Sequence, residues 1–170
     1  FLATGGAVVV GVVGGVAVTR PVASSLRPLV QDLAALAQTV PPVAVLALSV
    51  PLLGYGSAPT VAALFFYSVL PVLRNTIAGI EQVDPVVVEA SVGMGMTPAQ
   101  RLRLSELPLA SPVILAGIRT AAIINIGTAT IGATIGAGGL GVVIIAGLVR
   151  DNLSYIVAGA ATTAVLALIV

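Results

Sequence analysis

The sequence predicts an all-α membrane protein: a polytopic bundle of about five transmembrane helices with one short structured loop outside the membrane. Three observations carry that reading. Of the 170 residues, 58% are hydrophobic and 8% charged, with mean hydropathy +1.18, whereas a soluble domain has about 45–50% apolar and about 25% charged residues. Residues 1–19, 33–73, 120–149 and 152–170 carry no charged side chain, and a helix needs about 20 mostly apolar residues to cross a bilayer core. The seven arginines and six acids fall instead within 20–32, 74–106, 119 and 150–151. A secretory signal peptide would be followed by a polar mature chain, and none follows. Residues 1–170 read as a single membrane domain, expected to be truncated at its amino terminus because Phe1 already lies inside an apolar run.

Taken in order, residues 1–18 are long enough to span, and Gly11 and Gly15 stand at the small-xxx-small spacing that lets helix backbones approach closely. Residues 19–28 hold Arg20, Pro21, Arg27 and Pro28 and read as a short loop. Gly54, Gly56 and Pro59 divide the long uncharged run into spans of roughly 29–53 and 60–80, the first kinked at Pro41-Pro42. Between Glu81 and Pro108 the chain looks soluble. There Asp84-Pro85 offers an N-cap followed by proline, and Thr97-Pro98-Ala99-Gln100 a capping box. Two short helices are expected, about 85–92 and 98–107, broken by Gly93-Met94-Gly95-Met96. Pro108 and Pro112 open the next span, about 109–131; the glycine-rich 132–149 suggests broken or re-entrant backbone. A last span starts near Asn152. Short cytoplasmic loops carry the positive excess, so the arginines at 20–28 and around 81–108 place both loops in the cytoplasm, with Tyr55 and Tyr155 at the outer interface.

Composition excludes several functions. Net charge +1 provides no field for nucleic acid. Without Cys or His, thiol nucleophiles, imidazole bases and common zinc sites are unavailable, and no catalytic residue or metal ligand is expected. Gly136-Ala137-Gly138-Gly139-Leu140-Gly141 matches the dinucleotide fingerprint G-x-G-x-x-G, but the next acid, Asp151, lies only ten residues on and membrane spans flank it. Tight backbone packing beside a path explains those glycines better. Two arginines and a membrane tether on each side argue against a DNA-reading helix pair at 85–107. Ion-driven carriers bury carboxylates, Lys or His in the bilayer; here Asp32 and Asp151 sit at span ends, and Arg119 can snorkel. With no lysine there is no P-loop. Driven transport would need a separate motor docked on the 81–108 loop.

Glu89-Ala90-Ser91, Gly95 and Leu107-Pro108 resemble, at matching spacing, the cytoplasmic EAA loop of binding-protein-dependent ABC importer permeases, E-A-A, three residues, G, nine residues, I, one residue, L-P. Ser91 replaces the third alanine and Ser105 the isoleucine, small losses of apolar contact that bear on docking strength. Leu70-Pro71-Val72-Leu73-Arg74-Asn75-Thr76, Gly93-Met94-Gly95-Met96-Thr97 and Ile124-Asn125-Ile126-Gly127-Thr128-Ala129-Thr130 through Gly141 look like the glycine betaine/choline/carnitine branch of that family.

That resemblance implies the type I importer permease fold in a bacterial inner membrane, with loop 81–108 as a coupling helix seated on a cytoplasmic ATP-binding subunit. It implies a second permease copy forming a homodimer and an extracellular or periplasmic solute-binding protein, with no cofactor in this chain because the partner binds ATP. Glu89 would supply a polar contact, Ala90 and Ser91 close approach, Gly95 the turn, and Leu107-Pro108 the return into the membrane. Asn125, Thr128, Thr130 and Thr134, the polar side chains of an apolar span, are candidates for the path wall, against the alternative that they only bond neighbouring helices or their own backbone. Phe65, Phe66 and Tyr67 could meet a cation or merely pack. Two readings compete with an osmoprotectant importer: a permease for another small zwitterion or amino-acid-like solute, and a passive channel or scaffold, which has no need of an EAA loop.

Overall fold

A computed structural model describes residues 2–21 and 23–170. The main helices are α1 (Leu2–Val18), α2 (Arg27–Thr39), α3 (Pro42–Leu53), α4 (Ser57–Glu81), α5 (Pro85–Gly93), α6 (Pro98–Arg101), α7 (Leu107–Gly132), α8 (Gly141–Val149) and α9 (Leu153–Ile169). Among the described residues, α4 and the continuous helix Pro98–Ile135 are long and apolar enough to cross a membrane, and α2 with α3 would make a third span. α1 and α9 are apolar helices of 17 residues each. Of the five expected spans, those at α4, at α7 and at α2 with α3 fall on helices of spanning length, and those at α1 and α9 fall on shorter apolar helices.

α4 is the central element. α1 lies parallel to it: a Cβ on Gly11 would stand 2.8 Å from Val72, and one on Gly15 2.6 Å from Thr76. The small-xxx-small pair therefore works as a close-approach face. α7 runs antiparallel on α4, with Gly79 against Ala110, Gly117 against Asn75 and Pro71, and Gly132 against Thr60. Dispersion between closely fitted backbones holds these contacts, since lipid tails give helices no hydrophobic reason to associate. Ile80, Ala110 and Ile114 form a buried cluster that Val12, Val16, Leu107 and Ile118 complete.

Three elements differ from the sequence expectation. The 29–53 span is not one kinked helix, because α2 and α3 meet at 90°. A residue before proline avoids the helical region, and here Val40 (ψ 126°) and Pro41 (ψ 136°) both precede a proline and are both extended. Two consecutive extended residues make a corner. Tyr67 of α4 donates its hydroxyl to the Val40 carbonyl at that corner, and Arg27 pairs with Glu81, so α2 follows α4 in the antiparallel sense.

The second expected loop helix does not stop at 107. It runs through a π-turn, Leu102–Glu106, into α7 without a break. Pro108 has no N–H to give the Leu104 carbonyl and its ring would strike it; the wider turn, in which Leu107 N bonds Leu102 O, relieves that conflict. Inside α7, the Pro108 carbonyl that Pro112 cannot serve accepts the Ser111 hydroxyl at 2.8 Å. Finally, the 132–149 segment is broken only as far as Leu140. Gly136, Gly138 and Gly139 have φ of 84°, 78° and 82°, a region open to glycine, and then α8 forms. α9 returns antiparallel to α8, fitting Gly147 to Ile156 and Gly159 to Ile144.

Candidate functional site

Two places gather the residues singled out in the sequence: the 81–108 loop at one end of α4 and α7, and a cavity toward the other end.

The loop is built by local rules. Asp84 caps α5, accepting from Val86 N at 2.8 Å, with Pro85 at the first helical position. The helix ends in a Schellman turn: Gly95, at φ 78°, sends its N–H to Val92 O, and Met96 N reaches Ser91 O at 3.1 Å. The glycine of the EAA pattern is therefore the left-handed residue that closes α5. Thr97 and Gln100 complete the capping box, Thr97 N bonding Gln100 Oε1 at 2.8 Å and Gln100 N bonding Thr97 Oγ1 at 3.3 Å.

The motif residues then divide by direction. Glu89 and Ala90 are exposed, along with Val86, Val92 and Met94. Ser91 is only 1% exposed, and its hydroxyl lies 3.0 Å from that of Ser105. The two positions that depart from the EAA pattern thus touch each other. They pack α5 onto the π-turn and stand behind the outward face, so the expected close approach of Ser91 to a partner is corrected to a role inside the loop. Leu107 packs on the Ile80 cluster, and Pro108 is exposed at the start of α7.

Glu106, 4% exposed, locks this assembly. It accepts from Arg101 Nε at 2.8 Å and from Arg20 Nη2 at 2.6 Å, joining the end of α1 to the π-turn across 86 residues of chain. The helix 98–135 is about 57 Å long at 1.5 Å per residue, well over a ~30 Å hydrocarbon core, so its charged first turns stand outside the membrane. Burial raises the Glu106 pKa, but the hydrogen bonds and positive charges of Arg20 and Arg101 together outweigh that, holding the carboxyl below its ordinary range.

The cavity, about 330 Å³, lies among α1, α4, α7, the glycine loop before α8, and α9. Asn125 and Thr130 line it, together with Thr4, Thr60, Gly138 and Gly139. Among the described residues, no charged or aromatic side chain lines it. The other two path candidates lie elsewhere: Thr128 is buried in α7, and Thr134 is exposed and donates to Ile131 O at 2.8 Å. Asn125 donates to Thr4 Oγ1 at 2.9 Å. Phe65 packs on Gly6 and edge-on to the exposed Phe66, so neither ring faces this cavity. Sequence reasoning missed Thr4, Thr60 and the Arg20–Glu106 bond, all of which depend on which helix faces mate. A signal existed for Thr4 alone, since the Gly11/Gly15 face of α1, extended back two turns, reaches it.

Comparison with known proteins agrees with this geometry. The family described as binding-protein-dependent transport system inner membrane component matches residues 7–170. The choline transport system permease protein OpuBB of Bacillus subtilis is 53% identical over 133 residues, 78% of this chain and 61% of that protein. The glycine betaine/carnitine/choline transport system permease protein OpuCB of the same organism is 44% identical over 167 residues, covering 95% of this chain and 77% of that one. The osmoprotectant import permease protein OsmY of Salmonella typhimurium is 43% identical over 163 residues, 96% of this chain and 69% of that protein. The chain therefore spans between about three fifths and four fifths of the length of these relatives. An inward-facing structure of the MetNI methionine ABC transporter superposes with TM-score 0.86 at 23% identity, covering 99% of this chain and 84% of that one, which establishes the shared fold. The chain belongs to the family of binding-protein-dependent transport system inner membrane components, as an all-helical, multi-pass, non-catalytic membrane subunit.

Proposed function

We propose that the chain is the translocating subunit of an ATP-driven importer for a small osmoprotectant, glycine betaine, choline or carnitine. A separate cytoplasmic ATPase would dock on loop 81–108, and an extracytoplasmic binding protein would deliver the solute. The observation that carries this reading is the 81–108 loop. Its two capped helices are packed through Ser91 and Ser105, the second is locked by Glu106, and that second helix continues unbroken into α7, which walls the cavity. A push on the exposed face of α5 bearing Glu89 and Ala90 would pass through the Ser91–Ser105 contact to the helix 98–135 and along it to Asn125 and Thr130. Such a lever suits an equilibrium between inward-open and outward-open states biased from outside the chain. A passive channel has no use for it.

The solute class rests on the relatives named above, and the cavity is consistent with it: its described lining residues are uncharged, which suits a solute of little net charge better than an ion. Asn125 and Thr130 are the path residues under this reading, and a second copy of the chain would complete the path as a homodimer. Co-purification of the full-length protein with its ATPase tests the docking. Wild type should hold the ATPase, and Glu89→Arg, on an exposed position of α5, should release it while eluting as an unaggregated particle in detergent. Equal retention by both contradicts a docking role for this face.

A further inference from the structure

Three of the threonine hydroxyls that line the cavity have given their hydrogens to backbone carbonyls. Thr60, Thr130 and Thr163 donate to Gly56 O, Ile126 O and Gly159 O at 3.2, 3.0 and 2.8 Å, which uses the single hydrogen of each hydroxyl and leaves its lone pairs. Asn125 is 6% exposed; its nitrogen is engaged with Thr4, and its Oδ1 is buried with no partner among the described residues. Buried side-chain carbonyls are ordinarily satisfied. Here it is left without a partner on a side chain that lines the cavity, in a wall that also carries the free lone pairs of Thr60, Thr130 and Thr163.

We infer that Asn125 Oδ1, with the threonine lone pairs around it, receives the cationic head of the passing solute and helps to set which solutes pass. The inference rests on the importer reading above and names the group that reads the solute. A quaternary ammonium has no N–H to donate. Its charge is spread over polarised C–H groups, which rest against partially negative oxygens without strict geometry. A carboxylate brought to the same oxygens would meet lone pairs. Among the described residues the cavity offers neither a charged side chain nor an aromatic cage of the kind that grips such cations tightly. Weak holding is what a path requires, because the solute must leave as readily as it enters.

The test uses the intact transporter, the chain with its ATPase, in proteoliposomes with saturating solute-loaded binding protein, so that capture does not limit the rate. Labelled choline and glycine betaine are followed together with ATP hydrolysis. Asn125→Leu should lower the solute moved per ATP about tenfold for both, the loss expected when one good polar contact is removed. Asn125→Asp exchanges the amide donor for an acceptor to which the Thr4 hydroxyl can turn and donate, so a merely helix-tying residue would leave the choline to glycine betaine ratio unmoved. As a solute contact it should raise that ratio about threefold or more, because a fixed negative charge attracts the cation and repels the carboxylate of the zwitterion. Wild-type transport with an unchanged ratio in Asn125→Asp overturns the inference while the importer reading stands, and that variant decides the matter if Asn125→Leu fails to insert. Wild type that moves neither solute overturns both.

Discussion

The two ends of the α4–α7 pair are built on opposite principles. At the 81–108 end, an N-cap, a Schellman turn, a capping box, a hydroxyl pair and a carboxylate held by two arginines tie α1, α5, α6 and α7 together. At the other end Gly54, Gly56, Gly136, Gly138 and Gly139 all take positive φ, and the bond from Gly56 N to Ile135 O, 2.8 Å, ties the α3–α4 turn to the segment before α8. Under the proposed function, stiffness where an ATPase would push and compliance where a solute would pass is a sensible division: a soft lever would dissipate the stroke, and a rigid gate would not open. The difference teaches that the glycine-rich sequence here serves two ends. In α1, α4 and α7 it brings backbones together, whereas in the turns it frees them.

Substitutions at the helix interface shared by both ends should cost most. Gly117→Val would force a Cβ to 2.5 Å from Asn75 and 2.9 Å from the Pro71 carbonyl, and about 3 kcal/mol is expected for such overpacking; its detergent melting midpoint should fall furthest in the series. Next comes the stiff end. Glu106→Gln leaves Arg20 and Arg101 without their anion, at a cost of about 2 kcal/mol given that both arginines are partly exposed. Because the folded-state pKa is depressed, the stability Glu106 contributes is complete above its unfolded value and disappears as pH falls through the folded one. Wild type should therefore destabilise on acidification below the ordinary carboxylate range, and Glu106→Gln should show a flatter profile there. At the soft end, Gly138→Ala, at φ 78° with open space around its Cβ position, should cost about 1 kcal/mol for the left-handed backbone and no more. A loss as large as that at Gly117 would show that the loop is not compliant. The smallest effect is expected from joint replacement of Ser91 by Ala and Ser105 by Ile. Each single change breaks the hydroxyl pair at about 1 kcal/mol, while the double change should restore most of it, readable as a double-mutant cycle.

Much of this architecture was written locally in the sequence. The charge map marks the spans, Asp84-Pro85 and Thr97-Pro98-Ala99-Gln100 announce two helix starts, and Gly95 announces a stop, because caps depend on residues within one turn of each other. The corner at Val40–Pro42 was half legible: two prolines signal a break, but its 90° angle follows from both preceding residues turning extended. The π-turn is legible only afterwards, since Pro108 could equally have opened a new helix. The Arg20–Glu106 bond and the Asn125–Thr4 contact join residues 86 and 121 positions apart. They exist only once α1 has settled on α4 and α7. Of the loop motif, Glu89 and Ala90 are exposed on α5 and Gly95 closes that helix, while Ser91 turns inward because α5 must bury one face on the π-turn.

Hydrogen exchange read by mass spectrometry on the protein in lipid nanodiscs tests the contrast between the two ends most directly. Amides across 86–107 should exchange slowly, close to those of α4, and amides across 133–141 should exchange faster by about an order of magnitude or more, following their local opening free energies. Equal exchange at the two ends, or a protected glycine loop beside a labile 86–107 segment, would contradict the division of the molecule into a stiff lever and a compliant gate.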